Sequence, residues 1–314
     1  MKTVLVVDDI DSIRVAIKEY LSSSYRILEA SNGREALRIL GEQGADLVLT
    51  DIRMPELGGL ELIEEIRIHH PESSYILMTA YNVNDYIQYA RIRKIWNIIP
   101  KTSFLNLSHI RVMVDKLLGP EIFGVKLYAP GLKEATGFYE DFQPGYLFSE
   151  LIENSAQKDR ACHHIDHVLR KQGAKRSCRQ ILDELTANAA GAQDPFFLRF
   201  ALDDGQVFIV TEDFRGNLRR EDVLYSLERQ VQLDPDTGLP IGVFDHRGRG
   251  LHISREQVDH LVFNIAPGER TEVIAMWGFH STYRARAISI YQKERKSEIR
   301  PPHGSLPQKD PSLL

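Results

Sequence analysis

Four short apolar runs in the N-terminal third of the chain are followed by side chains that can bind a cation or attack phosphorus. Asp8 and Asp9 follow the first run, and Asp51, Thr79 and Lys101 end three later runs. Three carboxylates in one crevice repel one another unless a cation joins them, and hard oxygen ligands of this kind suit Mg²⁺. A carboxylate such as Asp51, faced by an ammonium and a hydroxyl group, can then be the nucleophile of an in-line phosphoryl transfer.

Parallel strands are the elements that would bring these groups together, because wound sheets bind their ligands at the carboxyl ends of the strands. The apolar runs are short, rich in β-branched residues, and each is followed by polar residues and a helical pattern. The pattern predicts strands at 3–7, 25–30, 45–49, 75–79 and 96–100, and helices near 12–23, 34–42, 60–69, 84–93 and 104–118. The predicted fold class is α/β, with a doubly wound parallel sheet of five β/α units.

Composition and charge exclude several other classes of protein. The 314 residues are 43% hydrophobic and 26% charged, which suits two compact domains, or one large one, and excludes wholesale disorder. The net charge of −5 lacks the basic excess of a dedicated nucleic-acid binder, so direct DNA binding is not expected. With two cysteines, no signal-peptide core and no apolar stretch of membrane-spanning length, we expect a cytoplasmic protein without a membrane span.

Four motifs follow one another in the N-terminal third of the chain: VLVVDD, LVLTDIRMPELGG, ILMTAY and IIPK. In this order and spacing they resemble the receiver domain of bacterial two-component response regulators. The resemblance covers residues 1–118. It implies that Asp51 takes a phosphoryl group from a sensor histidine kinase and is also a ligand of Mg²⁺. Receivers usually carry an aromatic residue three positions before the motif's lysine, whose rotamer reports the switch, and this chain has Ile98 there.

The same resemblance implies a role for each of the other polar residues at this edge of the sheet. Asp8 and Asp9 would hold Mg²⁺ with the phosphoacceptor and with the backbone carbonyl oxygen of Arg53. Lys101 would contact a phosphoryl oxygen, and Thr79 would move to that oxygen as the switch. The predicted site therefore joins the ends of four strands.

The middle of the chain is predicted to connect two domains. Residues 119–145 mix glycine, proline and aromatic residues and read as an ordered connector. Residues 146–172 look helical and carry His163, His164 and His167. The histidines lie too close to the following motif for a phosphotransfer hairpin, and two histidines at helical spacing are thin evidence for a metal site, so all three are left unassigned.

A second set of polar residues lies in the C-terminal half. In RQILDELTANAAGAQ, Glu184 and Asn188 are four residues apart and share one face of a predicted helix. A carboxylate there can polarise a hydroxyl group, and an amide oxygen can complete the shell of a phosphate-bound Mg²⁺. Two predicted strands, 196–203 and 206–213, meet at an Asp-Gly turn, and Asp213 can accept the exocyclic amine of adenine.

Four short motifs follow in the order ELTAN, D-x-x-G, G-x-G-L and G-x-x-T. Together they resemble those of the Bergerat nucleotide-binding domain of histidine kinases, anti-sigma-factor serine kinases and gyrase. The resemblance covers about 146–280, implies an α/β sandwich that binds ATP, and makes 217–247 its lid. It implies these roles: Glu184 as general base, Asn188 as Mg²⁺ ligand, Asp213 and Thr271 at the adenine, and Gly216, Gly248 and Gly250 in the nucleotide loops. Residues 281–314 are predicted to be a basic extension with a solvated face and a disordered tail.

These features predict a response regulator in which phosphorylation of Asp51 controls a C-terminal ATP-binding domain. That domain would act on a downstream regulatory protein as a serine/threonine kinase or ATPase of the anti-sigma-factor-kinase type, or sequester it without chemistry. The alternative is a nucleotide-inactive domain that serves as a protein-interaction or phosphorelay module. The sequence leaves open the cognate kinase, the partner, the sign of regulation and the oligomeric state, a homodimer included.

Overall fold

The structure is a computed structural model that describes residues 1–101, 106–136, 142–174, 178–190, 194–242, 249–280 and 286–293. Gly248, a predicted nucleotide-loop residue, lies outside the described residues. No helix within the described ranges is both long enough and apolar enough to cross a bilayer.

Five parallel strands and their helices form the first part of the chain. The strands are β1 (Thr3–Val7), β2 (Arg26–Ala30), β3 (Leu47–Asp51), β4 (Ser74–Thr79) and β5 (Asn97–Pro100). The helices are α1 (Asp11–Leu21), α2 (Gly33–Gln43), α3 (Gly59–His69), α4 (Ile87–Arg93) and α5 (Leu107–Leu118), and a 3₁₀ helix (Val83–Tyr86) precedes α4. Neighbouring strands pair in parallel in the order β2-β1-β3-β4-β5. The predicted wound sheet is therefore confirmed for this part.

Mixed strand pairing characterises the second part. Its strands are β6 (Lys133–Thr136), β7 (Tyr146–Ile152), β8 (Phe196–Asp203), β9 (Gln206–Asp213), β10 (His260–Ala266), β11 (Arg270–Gly278) and β12 (Ala287–Gln292). Its helices are α6 (Ser155–Lys171), α7 (Arg179–Ala190), α8 (Arg220–Val231) and α9 (Arg249–Gln257). The turn between β8 and β9 places Asp204 and Gly205 at φ 45° and 72°, as a tight two-residue hairpin requires.

Two predictions for this part are wrong. Residues 146–172 are not one helix, because β7 occupies their first quarter and pairs antiparallel with β8. The polar residues within the segment YLFSELI obscure its strand character. The segment 287–292 is not a solvated extension either, since five residues of AISIYQ are buried in β12. Its basic neighbours dominate the local composition and hide the apolar run.

Strand β12 joins the two parts into one sheet. It pairs in parallel with β10 on one side and antiparallel with β5 on the other, where Ile288 faces Ile98. The resulting order is β2-β1-β3-β4-β5-β12-β10-β11-β9-β8-β7-β6. A single apolar cluster accordingly contains Val83 and Ile87 of the first part together with Leu224 and Leu227 of α8. The two parts share a core.

Candidate functional site

The acidic residues meet at the carboxyl ends of β1 and β3, which are parallel neighbours. Asp8 is fully buried, Asp51 is almost fully buried, and Asp9 is exposed. One carboxylate oxygen from each of the three lies within 4.8 Å of the others. The predicted acidic cluster is thus formed by the residues that the sequence singled out.

Lys101 lies between two of these carboxylates. Its Nζ is 2.6 Å from Asp8 Oδ2 and 3.0 Å from Asp51 Oδ2, and its side chain is buried. The backbone N–H of Lys101 donates to the carbonyl oxygen of Thr79 at 2.5 Å, which fixes where the lysine leaves β5. Burial raises the pKa of Asp51, and the Lys101 ammonium opposes that rise.

The donor set fits Mg²⁺. Three carboxylates face one ammonium, so a cation would relieve the remaining repulsion. Asp8 Oδ2 is buried. The Lys101 ammonium lies beside it, but no described residue donates to it a hydrogen bond of good geometry. A buried oxygen of this kind is available to a hard metal ion.

Thr79 ends β4 beside this cluster, and Arg53 lies on the loop after β3. Thr79 is fully buried, and its Oγ1 accepts a hydrogen bond from the backbone N–H of Tyr81 at 2.9 Å. The exposed Arg53 guanidinium lies 4.3 Å from the centroid of the Tyr81 ring. The Thr79 hydroxyl is therefore engaged by the loop that follows β4.

Gly59 is a residue of this site to which the sequence analysis gave no role. It begins α3, and a Cβ built on it would overlap the carbonyl oxygen of Asp51. Its N–H donates to the carbonyl oxygen of Ile52 at 2.9 Å. Only glycine permits so close an approach to the backbone of the acidic residue, and the Gly-Gly pair of the motif LVLTDIRMPELGG was the signal for it.

The structure also brings together part of the second predicted site. Glu184 on α7 is half-buried and lies directly against Gly250 on α9, where a Cβ would overlap its carboxylate. Asn188, one turn further along α7, is exposed. Helices α7 and α9 thus pack closely at the position of the predicted general base.

Asp213 and Thr271 lie opposite each other on β9 and β11. Thr271 Oγ1 is buried and lacks a hydrogen-bond partner in the described part of the chain. Burial raises the pKa of Asp213. Hydrogen bonds from backbone N–H groups of the following loop oppose this rise, and one of them is donated by Arg215 at 3.0 Å. Gly216, at φ 57°, packs so closely on the turn between β10 and β11 that a Cβ would lie 2.5 Å from the carbonyl oxygen of Ala266. A carboxylate beside an unpartnered hydroxyl has the chemistry to hold the adenine edge.

Arg215 adds a contact that sequence reasoning missed. Its Nη2 donates to the carbonyl oxygens of Ala189 at 2.6 Å and Asn188 at 3.3 Å, and its Nε lies 3.6 Å from Asp213 Oδ1. The guanidinium therefore bridges the end of α7 and the loop after β9. An arginine between an aspartate and a glycine carries no spacing signal that would have identified this role.

Part of the predicted lid is helix α8, which packs on the first part of the chain. Glu228 of α8 is 3% exposed and pairs with the Arg91 guanidinium of α4. Arg220, at the start of α8, places its guanidinium 4.6 Å from the centroid of the Trp96 ring. Residues of the predicted lid thus contact the α4–β5 side of the wound sheet.

Comparison with known proteins finds similarity to the N-terminal part. The family model of the response regulator receiver domain matches residues 4–114. Sporulation initiation phosphotransferase F of Bacillus subtilis is 35% identical over 86 residues, which are 27% of this chain and 69% of that protein. Sensor kinase CckA of Brucella abortus is 39% identical over 82 residues, or 25% of this chain and 9% of the relative. Regulatory protein AtoC of Escherichia coli is 39% identical over 79 residues, 17% of its length.

Among solved structures, response regulator protein TrrA of Thermotoga maritima, in complex with Mg(2+)-BeF, shares 37% identity. The match covers 37% of this chain and 99% of that chain, with a TM-score of 0.34. The chain spans less than a fifth of the length of the two large relatives from Brucella and Escherichia.

Proposed function

We propose, since the chain belongs to the response regulator receiver family through residues 4–114, that Asp51 accepts a phosphoryl group from a sensor histidine kinase. The observation that carries this proposal is the arrangement of Lys101 between Asp8 and Asp51, with Asp9 at the same edge. An ammonium buried between two carboxylates is the arrangement that a transferring phosphoryl group requires, because charge develops on its oxygens.

In the reaction, Asp51 Oδ attacks the phosphorus atom of a phosphohistidine. The new O–P bond forms as the N–P bond breaks, and the bonding electron pair leaves with the imidazole ring of the donor. Asp8, Asp9 and Asp51 would hold Mg²⁺ with the backbone carbonyl oxygen of Arg53. When bound, the ion offsets charge on the phosphoryl oxygens.

Lys101 and Thr79 supply the remaining contacts to the phosphoryl group. The Lys101 ammonium moves its pairing from the carboxylates to a phosphoryl oxygen, because the phosphorylated aspartate has lost its own charge there. The Thr79 hydroxyl reaches that group after it gives up the hydrogen bond from Tyr81 N–H. This exchange of partners is the local event that the rest of the chain would sense.

Labelling by acetyl phosphate tests the acceptor. The full chain should take up label when Mg²⁺ is present, and Asp51→Asn should take up none. Asp11→Asn is the matched control. Asp11 is an exposed carboxylate that follows Asp8 and Asp9 closely in the sequence and pairs with Arg14. Label retained in Asp51→Asn would refute the assignment.

For the C-terminal part we propose an ATP site of the Bergerat type. Support comes from the sheet order β7-β8-β9-β11-β10, which sets Asp213 opposite Thr271, and from Glu184 beside Gly250. Asp213 and Thr271 would hold the adenine, and Asn188 would ligate the Mg²⁺ of the phosphates. Glu184 would be the general base if a partner hydroxyl is phosphorylated, and sequestration of the partner would need no base.

Calorimetric titration of ATP·Mg²⁺ into the full chain tests this site. We expect binding in the wild type and its loss in Asp213→Asn, while Asp203→Asn, at the end of neighbouring strand β8, should bind like the wild type. ADP release that depends on a partner and vanishes in Glu184→Ala would assign a kinase. Absence of binding in the wild type would refute the ATP site.

A second candidate function for this part is a nucleotide-inactive interaction or phosphorelay module. The contacts of Arg215 favour it, because the guanidinium fills the space between Asp213 and the end of α7, and Asp213 already accepts hydrogen bonds from its own loop. This candidate predicts no ATP binding but a change in the C-terminal part when Asp51 is phosphorylated.

A further inference from the structure

A buried arginine fastens the C-terminal part to the loop that follows the switch threonine. Asn84 lies in the 3₁₀ helix after β4, and its Oδ1 accepts a hydrogen bond from Nη2 of Arg255 in α9. Asn84 Nδ2 donates to Glu256 Oε1 at 3.1 Å. Both polar groups of one asparagine are therefore used on a single helix of the other part.

Arg255 has few alternatives to this contact. It is 0% exposed, its Nε donates to the carbonyl oxygen of Arg286 at 3.2 Å, and its Nη1 has no partner among the residues that the structure describes. A buried guanidinium that loses an acceptor is left with a further unsatisfied N–H group, which is costly. The contact with Asn84 is consequently one that the folded protein resists breaking.

The chain between Thr79 and Asn84 is short and internally hydrogen-bonded. Tyr81 N–H donates to Thr79 Oγ1 at 2.9 Å, and Asn84 N–H donates to Asn82 Oδ1 at 3.0 Å. If the Thr79 hydroxyl turns to a phosphoryl oxygen, it releases Tyr81 N–H, and the backbone between the two ends must rearrange. An anchor at Asn84 opposes that rearrangement.

We propose that Arg255 is a positioning residue that, through Asn84, holds the loop after β4 in its resting arrangement and so lowers the affinity of the Asp51 site for a phosphoryl group. The inference rests on the proposed function, because it concerns regulation of the same site. Coupling between two sites is reciprocal, so phosphorylation weakens the hold on α9 by the same factor. Helix α9 carries Gly250 against Glu184, so the release reaches the second candidate site.

Calorimetric titration with beryllofluoride and Mg²⁺, which together mimic the phosphoryl group, tests the proposal on the full chain. Asn84 is half-buried, so Asn84→Ala is expected to fold. It should bind beryllofluoride about tenfold more tightly than the wild type, within the usual range of such couplings. Asn84→Asp combined with Glu256→Gln keeps an acceptor for Arg255 and a donor–acceptor pair between positions 84 and 256, so it should restore affinity to near the wild-type value.

Gln180→Ala is the matched control. Gln257 of α9 donates to Gln180 Oε1 at 2.8 Å, so this variant removes a hydrogen bond of α9 that does not involve the wound sheet. Its beryllofluoride affinity should equal that of the wild type.

Hydrogen exchange supplies a second readout. In the wild type, beryllofluoride should speed exchange in α9, whereas in Asn84→Ala exchange should be fast with or without it.

Equal beryllofluoride affinity in Asn84→Ala and the wild type would overturn the role of Arg255 and leave the proposed function intact. A wild type that binds no beryllofluoride would instead refute the proposed function. A gain of affinity in Gln180→Ala equal to that of Asn84→Ala would also overturn the inference, because any loosening of α9 would then suffice.

Discussion

Lys116 should destabilise the protein at neutral pH, and its replacement by methionine should make the chain more stable. Lys116 lies in α5 and is 2% exposed. Its Nζ donates to Asn264 Oδ1 at 3.1 Å and lies 4.8 Å and 5.0 Å from the ring centroids of Tyr128 and Tyr291. Asn264 in turn donates to Glu272 Oε2 at 2.7 Å. The lysine thus lies between the two parts of the chain.

The magnitude follows from the pKa of the ammonium group. Burial lowers the pKa of Lys116 from 10.5 to about 8, and the negative charges of Glu272 and Glu121 limit the fall. That difference corresponds to about 3 kcal/mol by which folding disfavours the protonated form. The methionine also loses the hydrogen bond to Asn264, which reduces stability by about 1 kcal/mol. Lys116→Met should therefore raise the free energy of unfolding by about 2 kcal/mol at pH 7.

The pH dependence has a definite sign. Between pH 8 and 10.5 the unfolded chain binds a proton at this lysine that the folded chain has released, so the contribution of Lys116 to stability rises with pH. Below pH 8 both states are protonated and the full cost is present. The advantage of Lys116→Met should therefore be greatest at pH 7 and shrink towards pH 10.

Urea unfolding of the wild type and Lys116→Met at pH 7.0 and 9.5 measures both effects, and Lys126→Met is the control. Lys126 is an exposed lysine paired with Glu134, so its replacement should change the free energy of unfolding little at either pH. A Lys116→Met chain that is less stable than the wild type at pH 7, or a difference independent of pH, would refute the reasoning.

Three further predictions concern the site and the shared sheet. Gly59→Ala should displace the backbone of Asp51 and slow acetyl-phosphate labelling at least tenfold, whereas Gly41→Ala, whose Cβ would meet no described atom within 4 Å, should label normally and raise the melting temperature slightly. Lys101→Met should raise the pKa of Asp51 further, so the pH dependence of labelling should move upward, and an unchanged profile would contradict the ion pair. Scanning calorimetry of the full chain should show one unfolding transition, because β12 and a common apolar cluster join the two parts, and two separate transitions would contradict the shared core.

The clustering of the acidic residues could be predicted from the sequence, because the signals for it are local. A carboxylate directly after a β-branched run lies at a strand end, and the alternation of strands and helices puts the ends of β1 and β3 side by side. Asp8, Asp51 and Lys101 therefore met as expected. The role of Gly59 depends on its close contact with the Asp51 carbonyl oxygen. The Gly-Gly pair of the motif hints at such a contact, but the spacing of the residues does not show which backbone atom is approached.

The junction between the two parts could not be predicted in the same way. Asn84 and Arg255 are 171 positions apart, and neither belongs to a motif. The sequence around β12 is basic, because arginine and lysine residues flank its short apolar run on both sides. The local composition therefore does not indicate a buried strand. Pairing partners of a strand depend on which edges remain free in the folded sheet, and a single sequence contains no direct signal for that.

The position of β12 determines how a signal can leave the acidic site. Ile98 is fully buried in β5, which is paired to β4 on one side and to β12 on the other. An aliphatic side chain in an interior strand has no exposed rotamer to exchange with a buried one, so the aromatic readout usual in receivers is not available to this chain. The loop after β4 pairs with no strand in the described part of the chain, and it leads to Asn84, which hydrogen-bonds to Glu256 and Arg255 of α9. Under the coupling proposed above, a change at Thr79 would be transmitted along that loop to the C-terminal part, rather than across β5.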